Sequence, residues 1–434
     1  GDGKRNLKIM VDCGMFQCSK VADDQNRDPF PYDPATIDYL FVTHAHLDHI
    51  GRIPKLVRDG FKGVIYSTPP TKDISAVSLI DSLGVLEKEA KNSGQKVFYE
   101  EDDVLAAGRL WQAKNYREQF TLSGNLKVTF RDAGHILGSS MIEITNGSKT
   151  IMFTGDLGNS PTPLLPDTDP ISNINYLVME SVYGDRLHEN RDKRKDRLED
   201  VIENTMKAGG TLMIPAFSIE RTQEIIYEIE SMMEAGRIPS VPVYLYSPLA
   251  IKVTDIYKKY ESYWNRSAFK ENAGHDGLLN FPNLKKTLNT NESRAIGADR
   301  GRKIILAGSG MSNGGRIIHH EKHFLPDPKS TLLVMGYQSA GSLGRQLEDG
   351  ARFVRILNSD VNVAAKVEVI SGYSAHKDSD GLLEFAGQTA DSLKKVFVVM
   401  GEPKASFYLV QRLRDYLGLD ALAPEVGQEV EIDF

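Results

Sequence analysis

Short apolar runs, each closed by a turn carrying an acid or a histidine, recur along the first 180 positions. Residues 7–12 alternate and then turn apolar, which predicts a strand ending at Asp12-Cys13-Gly14. Residues 37–42 predict a second strand that delivers His44, and residues 63–66 a third. The spacing of Ile74, Val77, Ile80 and Leu83 predicts a helix over 71–91, and 104–116 reads as another. Residues 126–130 alternate into the turn Asp132-Ala133-Gly134, which presents His135. Residues 141–145 and 150–154, joined by Asn146-Gly147, predict a hairpin ending at Gly155-Asp156. Residues 176–179 predict a strand ending at Glu180. Asp12, His44, His135, Asp156 and Glu180 therefore each follow a short strand, the placement at which α/β-type sites assemble.

From about position 184 the pattern changes. The mixed charge run 191–197 opens a helix with Leu198, Val201, Ile202 and Met206 on one face and reads as a solvated surface. Strands at 211–214, 241–246, 303–307 and 332–335 alternate with helices at 220–235, 249–260 and 316–320, which predicts a parallel α/β domain. Residues 269–301 are polar and Asn-rich and read as loop or irregular helix. A strand at 365–370 runs into Ser371-Gly372-Tyr373-Ser374-Ala375-His376. A helix at 382–390, a strand at 395–399 before Met400-Gly401-Glu402, and a helix at 407–417 close the chain.

Composition narrows the class. A chain of 434 residues suits two or three domains, or one domain with a large insertion, and 41% hydrophobic with 26% charged residues is ordinary for a globular core. No apolar run approaches a membrane span, and residues 1–6 have no hydrophobic signal region, so the expected location is the cytoplasm with no membrane partner. The chain starts without Met, which suggests missing N-terminal residues. Two cysteines, Cys13 and Cys18, exclude a disulfide scaffold and fit a reducing compartment. The net charge of −7 argues against a general basic coat for nucleic acid, though not against a local basic channel.

The densest chemistry lies in His44-Ala45-His46-Leu47-Asp48-His49. Only ten histidines serve the chain, and three sit in these six positions. His44 and His46, two apart at a strand end, point the same way. Asp48 and His49 follow as the chain turns into a helix. Imidazole with carboxylate suits Zn2+ or a similar first-row ion. His44, His46 and His135 would hold one ion, Asp48 and His49 a second, and Asp156 is placed to bridge. Two such ions, about 3.5–4 Å apart, clamp the attacking and leaving oxygens of a displacement. Asp12 is the candidate acceptor that fixes a ligand histidine's tautomer. His319, His320 and His323 read as helix surface or cleft wall, because no acid or cysteine completes a closed site around them.

The order Asp12, His44-x-His46-x-Asp48-His49, His135, Asp156 resembles the metallo-β-lactamase superfamily. Glu180-Ser181-Val182-Tyr183-Gly184-Asp185-Arg186, Pro215-Ala216-Phe217-Ser218-Ile219-Glu220-Arg221, Ser309-Gly310-Met311 with Gly314-Gly315-Arg316, and Gly372-Tyr373-Ser374-Ala375-His376 resemble its β-CASP nucleases. That group includes the endonuclease subunit of the pre-mRNA 3′-end cleavage complex and its bacterial and archaeal relatives. The resemblance covers nearly the whole chain. It implies an αββα metallo-β-lactamase sandwich at 1–183 and 371–434, with a parallel α/β β-CASP cap domain inserted at 184–370. It also implies a metal-dependent ribonuclease, in which a metal-bound hydroxide cuts single-stranded RNA to leave 5′-phosphate and 3′-hydroxyl ends in RNA processing or decay. By resemblance Glu180 and His376 pair to protonate the leaving 3′-oxygen, beside Asp48 as a further catalytic carboxylate. Arg221, Ser309, Arg316, Arg345 and Ser374 are candidate substrate contacts.

The departure is Met400, which stands where the family's His-Gly-Glu motif has its histidine, the residue that completes the second metal's shell. A thioether is a poor partner for an ion of Zn2+ type. Two divalent ions are therefore expected, the second held weakly. An RNA-binding or scaffold homologue with weakened catalysis, a DNA nuclease and a small-molecule hydrolase on the same fold remain as alternatives. The last is disfavoured by the domain-sized gap between Asp156 and Met400. Endonucleolytic and 5′-exonucleolytic cutting are both open, as are a homodimer and membership of an RNA-processing complex. With no appended RNA-binding domain in the chain, targeting is expected to come from the cap or from other proteins.

Overall fold

The computed structural model describes residues 6–16, 24–188, 193–271, 278–287, 292, 296–299, 301–336, 338–339 and 341–434. The chain forms two compact units, Gly1–Leu187 with His376–Phe434, and His188–Ala375. The boundaries expected from the sequence at 183/184 and 370/371 lie a few residues before these.

In the first unit, β1 (Ile9–Val11), β2 (Tyr39–Phe41), β3 (Val64–Ser67) and β4 (Trp111–Ala113) make a parallel sheet in that order. The helix Pro69–Ser93 after β3 is started by Thr68, whose Oγ1 caps the Thr71 amide, with Pro69 in its first turn; it stops at Gly94 in the left-handed region. The helix expected over 104–116 is Glu101–Leu110, and Trp111 leaves it to begin β4. The Trp111 backbone pairs with β3 and its indole N–H donates to Ser67 Oγ at 2.7 Å, a tertiary gain that overrides the local helical pattern.

The chain continues through β5 (Phe120–Thr121), β6 (Lys127–Asp132), β7 (Ser140–Thr145), β8 (Thr150–Phe153) and β9 (Tyr176–Glu180). In the second unit β10 (Thr211–Pro215), β11 (Val243–Tyr246), β12 (Leu284–Lys286), β13 (Lys303–Ala307), β14 (Thr331–Met335) and β17 (Lys366–Ile370) form a wholly parallel sheet, ordered β12-β11-β13-β10-β14-β17. Every residue of β10, β13 and β14 is buried, as expected of parallel strands covered on both faces. β12 lies in the stretch read as loop, of which 272–277, 288–291, 293–295 and 300 are outside the described residues. The antiparallel pair β15 (Phe353–Ile356) and β16 (Ser359–Asn362) is an element the sequence pattern did not predict. Residues 191 and 192 of the charge run also lie outside the described set; the helix there is Arg194–Ala208.

Back in the first unit, β18 (Lys395–Val399) and β19 (Ala421–Leu422) complete a seven-stranded sheet ordered β19-β18-β9-β8-β7-β6-β5. Its two faces are set by the period of two along each strand. Ile142 and Ile144 of β7, with Val128 and Phe130 of β6, pack with Phe41 of the first sheet. Met141, Met152, Leu177 and Val398 point the other way, against Leu382 and Phe385 of helix Ser379–Gly387 and Leu409 and Leu413 of helix Pro403–Leu417. Two sheets thus face each other with helices outside. Among the described residues no helix is long and apolar enough to cross a membrane.

Candidate metal centre and acid pair

All the predicted ligands belong to the first unit, and they follow the ends of its strands. Asp12 comes directly after β1, with φ 60°, and its carboxylate ties down the loop after β2. Oδ1 accepts from the Thr43 amide and Oδ2 from the Thr43 hydroxyl, both at 2.8 Å, and Oδ2 also faces His49 Nδ1 at 2.6 Å. The backbone after Asp12 runs against the helix Leu47–Ile50: Cys13 N–H donates to the His49 carbonyl and Met15 N–H to that of Leu47. A Cβ on Gly14 would sit 1.5 Å from the Asp48 carbonyl oxygen, so only glycine permits this approach. Cys13 is buried here, and burial pushes its thiol up to about 12. Cys18 lies outside the described residues.

His135 is held by a turn whose support the sequence pattern did not single out. Ser139 Oγ accepts from the amides of His135 and Ile136, and Asp132 Oδ1 accepts from the Gly134 amide at 2.8 Å. Asp132 is itself buried, and burial pushes its carboxyl up to about 7. Its role was signalled only by an Asx-type turn, Asp-x-Gly, just before the histidine.

His44, His46, His135 and Asp156 each offer one ligand atom, all within 4.8 Å of one another. The individual edges are 3.0 Å for His44 Nε2 to His46 Nδ1, 3.3 Å for His135 Nε2 to His46 Nδ1, 3.3 Å for His44 Nε2 to Asp156 Oδ2 and 3.5 Å for His135 Nε2 to Asp156 Oδ2. Four ligands bound tetrahedrally at about 2.0–2.1 Å stand roughly 3.3–3.4 Å apart, so the donor set fits one ion of Zn2+ size. Asp156 Oδ1 turns to the other side and faces His49 Nε2 at 3.4 Å; both atoms are buried without a hydrogen-bond partner. Buried polar atoms left this way fit a second cation. Asp48 stands at its rim, 45% exposed, with Oδ2 4.0 Å from His49 Nε2.

The charges fit the same reading. Burial, then His44, pushes His46 down to about 3, and burial and then His376 hold His135 well below the ordinary range, so both rings are held neutral, the form in which imidazole binds a metal. Burial works against the charged forms of Asp156 and His49. His49 and His44 nevertheless hold Asp156 well below the usual carboxylate range, and Asp156 and Asp12 raise His49.

Glu180, the last residue of β9, is fully buried; Oε1 accepts from the Leu157 amide at 2.5 Å, and Oε1 and Oε2 face His376 Nδ1 at 3.3 and 3.2 Å. Burial would lower the His376 pKa, but Glu180 and then Asp156 raise it to about 9. The His376 ring lies 4.7 Å from that of His135, and Asp156, Glu180 and His376 form a second cluster within 4.8 Å. Met400 follows Val399, the register partner of Glu180; it is 47% exposed, with φ 61°.

The candidate substrate residues separate. The Arg221 side chain is buried in an ion network inside the second unit, bonded to Glu224 and 5.5 Å over the Tyr373 ring. Arg194 joins Glu224 and Glu228 at 3.9 and 3.7 Å, and Tyr373 donates to Glu228. Charge alone could not reveal these partners. Arg345 is an exposed partner of Asp349 at 3.0 Å. Arg316 lies 4.3 Å over the Tyr246 ring, Ser374 is buried, and Ser309 Oγ is buried without a partner. His320 packs edge-on against Tyr246 and burial pushes it down to about 4; His319 and His323 are exposed, and no acid joins them in a metal-type cluster among the described residues.

Three family profiles match the chain in order: a "Metallo-beta-lactamase superfamily domain" at 4–177, a "Beta-Casp domain" at 222–347 and a "Zn-dependent metallo-hydrolase RNA specificity domain" at 360–424. A Thermus thermophilus protein named Ribonuclease TTHA0252 is 35% identical over 98% of this chain and 92% of its own length. The chain belongs to the β-CASP branch of the metallo-β-lactamase superfamily. A Methanosarcina mazei protein named Transcription termination factor FttA is 32% identical over 96% of this chain, which spans 66% of that relative. The crystal structure of an Enterococcus faecalis protein of unknown function shares the fold, with a TM-score of 0.51 at 12% identity over 90% of this chain and 80% of that one. β-CASP membership accounts for the second parallel sheet between β9 and β18, and the donor set is that of a divalent-metal hydrolase.

Proposed function

We propose that this β-CASP protein is a metal-dependent ribonuclease that hydrolyses single-stranded RNA and leaves 5′-phosphate and 3′-hydroxyl ends. One observation carries the reading: the four-donor cluster adjoins the Glu180–His376 pair, on a chain matched along nearly its full length to a named ribonuclease. His44, His46, His135 and Asp156 would hold a first Zn2+, and Asp48, His49 and the other oxygen of Asp156 a second. Ions bound there supply a water of lowered pKa and neutralise charge on the reacting phosphate. The chain's own residues do the rest. Asp12 fixes the His49 ring through Nδ1, which leaves Nε2 free to bind. Glu180 engages His376 through Nδ1 and keeps the ring protonated, so Nε2 can donate to the departing 3′-oxygen.

Met400 supports a second reading, in which the second ion is bound weakly and activity is low without added metal. RNA labelled at the 5′ or 3′ end, incubated with protein and Zn2+ or Mn2+, would separate the readings. Cleavage to the stated ends is expected, and it should be lost together with metal in His135→Ala. No cleavage at any metal concentration, or a His135→Ala protein as fast as the wild type, would sink the proposal.

A further inference from the structure

We propose that an open cleft in the first unit, lined by Arg27, Phe30, Tyr32, Lys55, Arg58 and Phe98, is an additional contact for single-stranded RNA, holding backbone phosphate on its arginines and a base against its rings. The inference rests on the ribonuclease reading but uses none of the metal-centre residues. The cleft has a volume of about 580 Å³, within the range of small-ligand sites.

Its cations are unequally neutralised. Lys55 is bonded to Asp59 at 2.5 Å, and Arg58 reaches Glu100 at 3.3 Å and Asp103 at 3.9 Å. Among the described residues Arg27 has no carboxylate partner: it donates to the Lys96 carbonyl, and its Nε is buried without a hydrogen bond. Against Phe30 of the cleft, Arg52 is 7% exposed; among the described residues it lacks a carboxylate partner, donates to the Asp28 carbonyl at 3.5 Å, and has a buried, unbonded Nε. Its guanidinium lies 4.3 Å over the Phe30 ring and 5.4 Å over that of Phe16. A desolvated guanidinium without a counter-charge is costly, and a bound phosphate would offset that cost. In a chain with net charge −7, such uncompensated cations are where a polyanion can be held.

The rings favour nucleic acid over an acidic peptide. Phe30 and Tyr32 stack at 5.4 Å, Tyr32 is 40% exposed, and Arg27 lies 5.8 Å over Phe98. Cations interleaved with aromatic faces are the pattern of sequence-tolerant single-strand binding.

The test measures binding of a cleavage-resistant phosphorothioate RNA to the metal-loaded protein across a salt series. Arg27→Ala and Arg58→Ala should each weaken binding roughly three- to tenfold. Together they should lower the slope of log affinity against log salt by about 1.4, the share of two phosphate contacts on a single strand. Arg27→Lys should recover most of the affinity, and cleavage of a dinucleotide should be unchanged in every variant. A wild-type protein that binds no RNA would overturn the ribonuclease reading and this inference with it. Wild-type binding with an unchanged affinity and slope in the double variant would overturn the cleft alone. So would a double variant that loses affinity for polyglutamate but not for RNA.

Discussion

Asp156 Oδ1 and His49 Nε2 face each other at 3.4 Å in the buried centre of the site, and neither atom has a hydrogen-bond partner. Without a cation the two rely on each other's charge; as the proposed ligands of a cation, both would bind it, and the proton on His49 would have to leave. Asp156→Asn should therefore lose affinity for both ions, by tenfold or more in metal titration. Chelation should lower the melting temperature of the wild type and leave that of the variant nearly unchanged, because bound ligand stabilises only a protein that holds it. Equal metal content in the two proteins would refute the bridging role.

Asp12 acts on one side of this centre. Its Oδ2 lies 2.6 Å from His49 Nδ1, while Thr43 Oγ1 stands 3.0 Å from His44 Nδ1. Asp12→Asn should weaken the ion at His49 by about 10–100-fold, the usual cost of removing a ligand's supporting carboxylate. The ion at His44, His46 and His135 should remain. A titration with two equally weakened sites would assign Asp12 to the whole loop instead.

Met400 occupies a left-handed backbone position at φ 61°, which histidine tolerates better than most side chains. Met400→His should leave stability almost unchanged and add a nitrogen donor. The second ion should then bind about tenfold more tightly and turnover at limiting metal should rise. An unaltered metal stoichiometry at limiting Zn2+ would show that position 400 does not reach the ion.

In the second unit Glu321 is fully buried; Oε1 accepts from Ser312 Oγ at 2.5 Å and Oε2 has no partner. Burial pushes its carboxyl up to about 7 from 4.5. The folded chain thus holds this proton more tightly than the unfolded chain does. The group's favourable contribution is complete below pH 4.5 and is lost as pH rises to about 7. Glu321→Gln removes the titration. Its stability relative to wild type should improve by about 3 kcal/mol between pH 4.5 and pH 8. Urea unfolding at the two pH values checks this, and a constant difference would mean the carboxyl ionises freely.

The sequence exposed the strand-end acids and histidines because each closes a short apolar run, so one pattern reported both element and side chain. It was blind where partners are distant. Trp111 continues a helical pattern and becomes a strand only because β3 is there to pair with it. Nothing in the sequence around Arg221 announced Glu224, Arg194 and Tyr373 as its neighbours. Asp132 and Ser139 gave little signal because their work is done on backbone amides, which no side-chain motif records. Met400 was legible as a departure, since the flanking Val399 and Gly401-Glu402 kept the motif in register.

The segment between β8 and the loop that follows it bears on how this protein can vary. Asp156 reaches both ligand sets, and the next residue, Leu157, donates its amide to Glu180 and accepts from the Lys377 amide through its carbonyl. The proposed metal bridge and the proposed proton donor would thus be gauged by two adjacent peptide units. Substitution of Leu157 by another apolar residue would leave that spacing intact. A one-residue insertion or deletion would put the two chemistries out of step even with every functional side chain present. Loop length, more than residue identity, is the heritable constraint at this point of the chain.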